Sequence, residues 1–68
     1  MDKDRHALAS ALMEVCTELL ESAHEHAASG QNETITSVEA LRCAKQILVL
    51  TERTQSVARA AISLAAED

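Results

Sequence analysis

The chain has no phenylalanine, tryptophan or tyrosine, no proline and a single glycine, Gly30. A β-sandwich or barrel needs many tight turns, and the residues that make them are missing. No apolar stretch approaches the roughly 18 continuous residues of a membrane span. The charged start, Met1-Asp2-Lys3-Asp4-Arg5-His6, has no long apolar run behind it, which argues against a secretory signal. Cys16 and Cys43 form no C-x-x-C pair and read as reduced, buried thiols of a cytoplasmic protein. The aromatics, disulfide scaffold and metal site that usually stabilise so short a chain are all lacking, so association with another chain is the remaining route.

What is present favours helix. Of the 68 residues, 13 are alanine and eight are leucine, and Glu and Arg are plentiful. The length allows one domain over residues 1–68. Helix 1 is expected over about 4–29. At 100° per residue, Leu8, Leu12, Val15, Cys16, Leu19, Leu20 and Ala23 fall on one side, with Met13 and Ala27 at its edge and Glu14, Glu18, Glu21 and Glu25 opposite. Asp2 and Asp4 suit the positive end of the helix dipole. Ser29-Gly30 reads as a stop, with the glycine in a left-handed C′ conformation.

A short polar connection follows over about 30–35, and a link of that length folds two helices back antiparallel. Helix 2 is expected over about 36–66. Thr36-Ser37-Val38-Glu39 fits a capping box, with Ile35 and Ala40 placed for a hydrophobic staple. Its seven-residue repeat reads Ala40, Cys43, Ile47, Leu50, Thr54, Val57, Ala61, Leu64, widened by Ala44, Ala58, Ile62 and Ala65. Thr51 and Thr54 read as packed positions whose hydroxyls bond a carbonyl one turn back.

The fold class is therefore all-α, a two-helix antiparallel hairpin. Ile47-Leu48-Val49-Leu50 is apolar around the whole circumference, and Val38, Leu41 and Val49 lie off the main stripe. A hairpin covers one side of each helix, so a second copy is expected to complete a four-helix bundle with twofold symmetry. Val38, Leu41, Leu48 and Val49 are the candidate partner-binding residues.

Sites for chemistry are scarce. His24 and His26 point about 200° apart on a helix and do not share an ion. Glu21 and His24 make a Glu-x-x-His pair of the kind found in di-iron bundles, but Glu21 projects away from the apolar stripe. His26 is expected to be half-buried near the end of helix 1. Cys16 and Cys43 fall on apolar stripes where a reactive thiolate is not expected, although their distances from the turn would let them approach across the hairpin. Asn32-Glu33-Thr34 matches a glycosylation sequon and is read as an ordinary loop. No catalytic residue, metal ligand or cofactor is assigned, and an enzyme is not expected.

Charge is unevenly divided. Residues 1–34 carry a net −5 and residues 35–68 a net of zero, Glu67 and Asp68 included. Glu14, Glu18, Glu21 and Glu25 include like-charged i,i+4 pairs, which are intrinsically unfavourable; they make a second candidate contact face, for a basic partner. Arg42, Lys45, Arg53 and Arg59 share one side of helix 2. The net charge and the missing aromatics disfavour nucleic acid, and no membrane is expected as partner. In overall plan the chain resembles the Rop-type plasmid RNA-binding regulators, and it is similar to small hairpin co-chaperones of bacterial type III secretion, which cover an amphipathic helix of a partner. The likeness lies in architecture. It implies either a bundle that binds RNA or a chaperone-like protein. The residues themselves favour a non-enzymatic interaction or regulatory protein that packs its helices on itself, and on another helical protein.

Overall fold

A computed structural model describes residues 2–66. The Asp2 side chain and the Glu67 and Asp68 charges lie outside the described residues. Two helices make up the structure, α1 (Asp2–Gly30) and α2 (Ser37–Ala66), packed against each other as an all-α hairpin. Its Cα atoms extend 52 × 14 × 9 Å with a radius of gyration of 15.7 Å. A compact chain of this length would have a radius of about 11 Å. The protein is thus a rod two helices wide, and among the described residues no helix is long and apolar enough to cross a membrane.

The helices meet along one seam. On α1 the seam positions are Arg5, Ala9, Leu12, Cys16, Leu19, Ala23, His26 and Gly30, in alternating steps of four and three, with Ser22 and Ala27 half-buried at its edges. On α2 they are Ala40, Cys43, Ile47, Leu50, Thr54, Val57, Ala61 and Leu64, the repeat expected from the sequence, with Thr51 and Ala58 half-buried beside them; Ala44, Ile62 and Ala65, expected to widen that stripe, are exposed because they stand farther around the helix than α1 reaches. Such spacing keeps a seam facing its partner over many turns. Two close approaches set the level of one helix against the other. Cys16 Sγ lies 4.0 Å from the Thr54 carbonyl oxygen, and a Cβ on Gly30 would stand 3.7 Å from Cys43 Cβ.

The turn is built from local hydrogen bonds. Asn32 Oδ1 accepts from the Thr34 amide at 3.0 Å and the Thr34 hydroxyl at 2.8 Å, and the Ile35 amide donates to the Asn32 carbonyl at 3.1 Å. Thr36 caps α2: its Oγ1 accepts from the Glu39 amide at 3.1 Å, satisfying one of the orphan donors of the first turn. Ile35 and Ala40 on either side of this cap are both half-buried.

Gly30 behaves differently from its expected role. It is the last residue of α1, and no described residue has a positive φ. Helix 1 ends instead through turn bonds from Gln31 to the Ala28 carbonyl and from Asn32 to the Ser29 carbonyl, both 3.2 Å. The glycine sits where α1 passes close to Cys43, with ordinary van der Waals room for a methyl group. Glycine in a helical conformation costs roughly 0.5–1 kcal/mol relative to alanine. Gly30→Ala is therefore expected to stabilise the hairpin by up to about 1 kcal/mol, a rise of a few degrees in Tm for a domain this small. Thermal unfolding followed by circular dichroism checks it; a lower Tm would mean that the close approach at Cys43 has no room to give.

Candidate interaction surface

One seam leaves most of the apolar surface uncovered. Among the described residues just Cys16 and Ala23 are buried, at 6% and 8% exposure, and no large side chain is fully enclosed. Nine of the sixteen described Leu, Ile, Val and Met residues are exposed: Leu8, Met13, Val15, Leu20, Val38, Leu41, Leu48, Val49 and Ile62. Scattered exposed aliphatics are ordinary on a protein surface. Their placement decides whether these are scattered.

Lettering the seam residues a and d, with Ala9 and Ala40 each at a, sorts the exposed set by flank. Five of the nine share one flank, the e and b positions: Met13 and Leu20 on α1, and Leu41, Leu48 and Ile62 on α2. These positions sit about 70–130° around each helix from the centre of the seam. Reversing the direction of the second helix brings its e positions to the same side as those of the first, so the two flanks form one continuous face of the hairpin. On the helices between His6 and Ala65, no e or b position carries Asp, Glu, Lys or Arg. Seventeen of the 68 residues are charged, so a charge-free strip the length of the molecule is a strong segregation.

The eight residues expected to bind a partner are all exposed, and they divide into three groups. Leu41 and Leu48 lie on the charge-free flank at 56% and 59% exposure. Val38 and Val49 lie on the outer side of α2 instead, away from that strip. Glu14, Glu18, Glu21 and Glu25 line the outer side of α1, opposite the seam. Glu21 and Glu25 share a shallow open hollow with Thr17, Leu20 and His24; Val38 and Leu41 share another with Arg42 and Lys45. Met13, Leu20 and Ile62 join Leu41 and Leu48 on this flank although they were not among the expected partner-binding residues. The signal was available: Leu41, Ala44, Leu48, Thr51, Gln55, Ala58, Ile62 and Ala65 repeat with the same three-four step as the seam itself.

On helix 1 the apolar side read from the sequence proves only partly covered. Leu12, Cys16, Leu19 and Ala23 enter the seam, while Leu8, Val15 and Leu20 are 51%, 41% and 51% exposed. The threonines form their expected bonds: Thr54 Oγ1 donates to the Leu50 carbonyl at 2.8 Å and Thr51 Oγ1 to the Leu48 carbonyl at 3.0 Å. Thr54 is in the seam, whereas Thr51 stands at its charge-free edge. His26 is half-buried in the seam; Glu21 and His24 are both exposed. No group of three metal-ligating side chains converges among the described residues.

The two cysteines are free, and the hairpin keeps them apart. Cys16 is level with Thr54 and Cys43 with Gly30, a separation of roughly 16–21 Å along the axis at 1.5 Å per residue. The approach across the hairpin that their distances from the turn allowed does not occur, because the seam register and not the loop count sets which residues face each other. Comparison of the chain with family models, with curated proteins and with solved structures yields no match.

A disulfide needs Cα atoms within about 7 Å. Mild oxidation of the folded protein is therefore expected to form no bond between Cys16 and Cys43 of one chain. Mass spectrometry under non-reducing conditions checks this: a two-dalton loss at the single-chain mass would contradict the register.

Proposed function

We propose that the protein is a small non-enzymatic interaction module with a regulatory role in the cytoplasm, acting by helix–helix packing and self-associating as a homodimeric four-helix bundle. The observation that carries this reading is the charge-free flank with its five exposed aliphatics. Charged side chains are depleted at the centres of protein interfaces and kept on free surfaces, and an apolar strip running the length of a helix is the usual mark of a helical partner. The hollow at Thr17, Leu20 and His24 opens largely on the charge-free flank and the one at Val38, Arg42 and Lys45 on the outer side of α2; both are wide open to solvent and offer little to an enzymatic reading. A bundle that binds RNA would have to use the outer side of α2, where Arg42, Lys45 and Arg59 are interleaved with Glu52 and no aromatic is present to stack on a base. The amphipathic helix of another protein, as a co-chaperone would cover it, fits the same flank as a second copy and competes with it.

Light scattering is expected to give twice the 7.3 kDa chain mass. Because no charge lies in the contact, the dimer should persist in 1 M NaCl, where ion pairs are screened and apolar burial is not. Leu48→Glu should leave the hairpin helical, since Leu48 is 59% exposed in it. The same change should weaken association on the order of a hundredfold, about 3 kcal/mol, by placing two unpaired carboxylates, one from each copy, in the interface. Full self-association by that variant, or a wild-type chain that stays single at every concentration, would count against the reading; binding of an RNA pool lost on replacing Arg42, Lys45, Arg53 and Arg59 would favour the RNA reading.

A further inference from the structure

We propose that the charge-free flank is closed by a second copy of this chain in one particular arrangement: face to face, α2 antiparallel to α2 of the partner and α1 antiparallel to its α1, about a twofold axis that crosses the bundle at the level of Arg53. This rests on the self-association proposed above and specifies its geometry.

Area identifies a second copy as a fitting occupant. The hairpin exposes 5286 Å², against roughly 4,200 Å² for a compact monomer of its mass. The excess of about 1,100 Å² is of the size that a stable interface takes from each partner, about 800 Å².

The sequence of the flank selects the orientation. Antiparallel helices interdigitate in layers, and a twofold axis pairs each residue with one equally far on the other side of it. With the axis at Arg53, Leu41 meets the partner's Ala65, Ala44 meets the partner's Ile62, and Leu48 meets the partner's Ala58. Thr51 meets the partner's Gln55, so the two polar residues of the strip share one layer beside the axis. On α2 every large aliphatic of the strip is thus set against an alanine, the alternation of large and small that lets facing layers fill space. Sliding the copies by one heptad either way breaks this match: it sets Ala44 against glutamine or Thr51 against isoleucine and leaves the end of each strip uncovered.

The strip on α1 accommodates the same axis. It pairs Thr17 with the partner's Leu20, Met13 with the partner's His24 and Ser10 with the partner's Ala27. Its centre falls between Glu18 and Leu19. The hairpin's own register, Cys16 beside Thr54 and Gly30 beside Cys43, sets that level of α1 beside residues 52–54 of α2. One axis therefore serves both strips. The charges stay outside: the four α1 glutamates of both copies line one edge of the bundle, and the α2 cations line the other.

The test is cross-linking in the dimer. In a Cys16→Ala, Cys43→Ala background, Leu48→Cys with Ala58→Cys should oxidise to a covalent dimer in high yield. Leu48→Cys with His24→Cys, which would be level if α1 lay over the partner's α2, should not. Should the cysteine-free background fail to fold, a benzophenone amino acid at position 48 of the otherwise native chain gives the same reading. With isotopically mixed chains, the adduct is expected on the partner's tryptic peptide 54–59. An adduct on peptide 6–42, or linkage through the 48/24 pair, overturns this arrangement while leaving the dimer standing. A single-chain mass by light scattering overturns both.

Discussion

Two helices lying side by side can shield each other along a single line, and every other property of this molecule follows from that limit. Alternating steps of three and four residues give each helix one seam, and the seam holds small or medium side chains at many levels: Ala9, Cys16, Ala23, Gly30, Ala40, Cys43 and Ala61. Small residues draw the helices close but enclose little volume, so nothing large is fully removed from water. Apolar burial is the main favourable term in folding, and here more than half of the large aliphatics lie outside the one place a lone hairpin can bury them.

The distribution of charge is the counterpart of that limit. Glutamates crowd the outer side of α1 to the extent of forming repulsive i,i+4 pairs, and cations gather on the outer side of α2. Between them runs a strip with none. A sequence chosen for solubility alone would have little reason to clear one flank of charge while overloading another. The same segregation explains why a contact through the strip would be insensitive to salt, although a quarter of the residues are charged.

Much of this architecture was legible in the residues. The seam of helix 2 was readable, because its seven-residue repeat, the Thr36 cap and the flanking Ile35 all point the same way and agree with the observed Glu39–Thr36 bond, although Ala44, Ile62 and Ala65 fall outside the stripe they were expected to widen. Helix 1 was harder. Its aliphatics spread over both flanks, so periodicity located an apolar side without showing that Arg5, Ala9, His26 and Gly30 continue the seam. Gly30 misled because a glycine after a helix usually takes positive φ; the turn here is set by Asn32 and Thr34, and the glycine serves proximity instead. The cysteines misled because counting from the loop does not give the register. As for the surface, Leu41 and Leu48 stood out, but grouping them with Val38 and Val49 mixed two sides of α2, since the pattern sought was "off the main stripe" rather than a second stripe with its own repeat.

The six residues between the helices also decide what the chain cannot become. If the connection turned helical, α1 and α2 would fuse into one continuous rod of about 97 Å at 1.5 Å per residue, able to zip with other straightened chains into open-ended assemblies. Extending the α1 repeat from Gly30 would carry it through Glu33 and Ser37 and then along Ala40, Ala44, Ile47, Thr51 and Thr54. The connection itself is what interrupts that line: a straightened rod would set the Glu33 carboxylate on the contact and lose the bonds from Thr34 to Asn32 that build the turn.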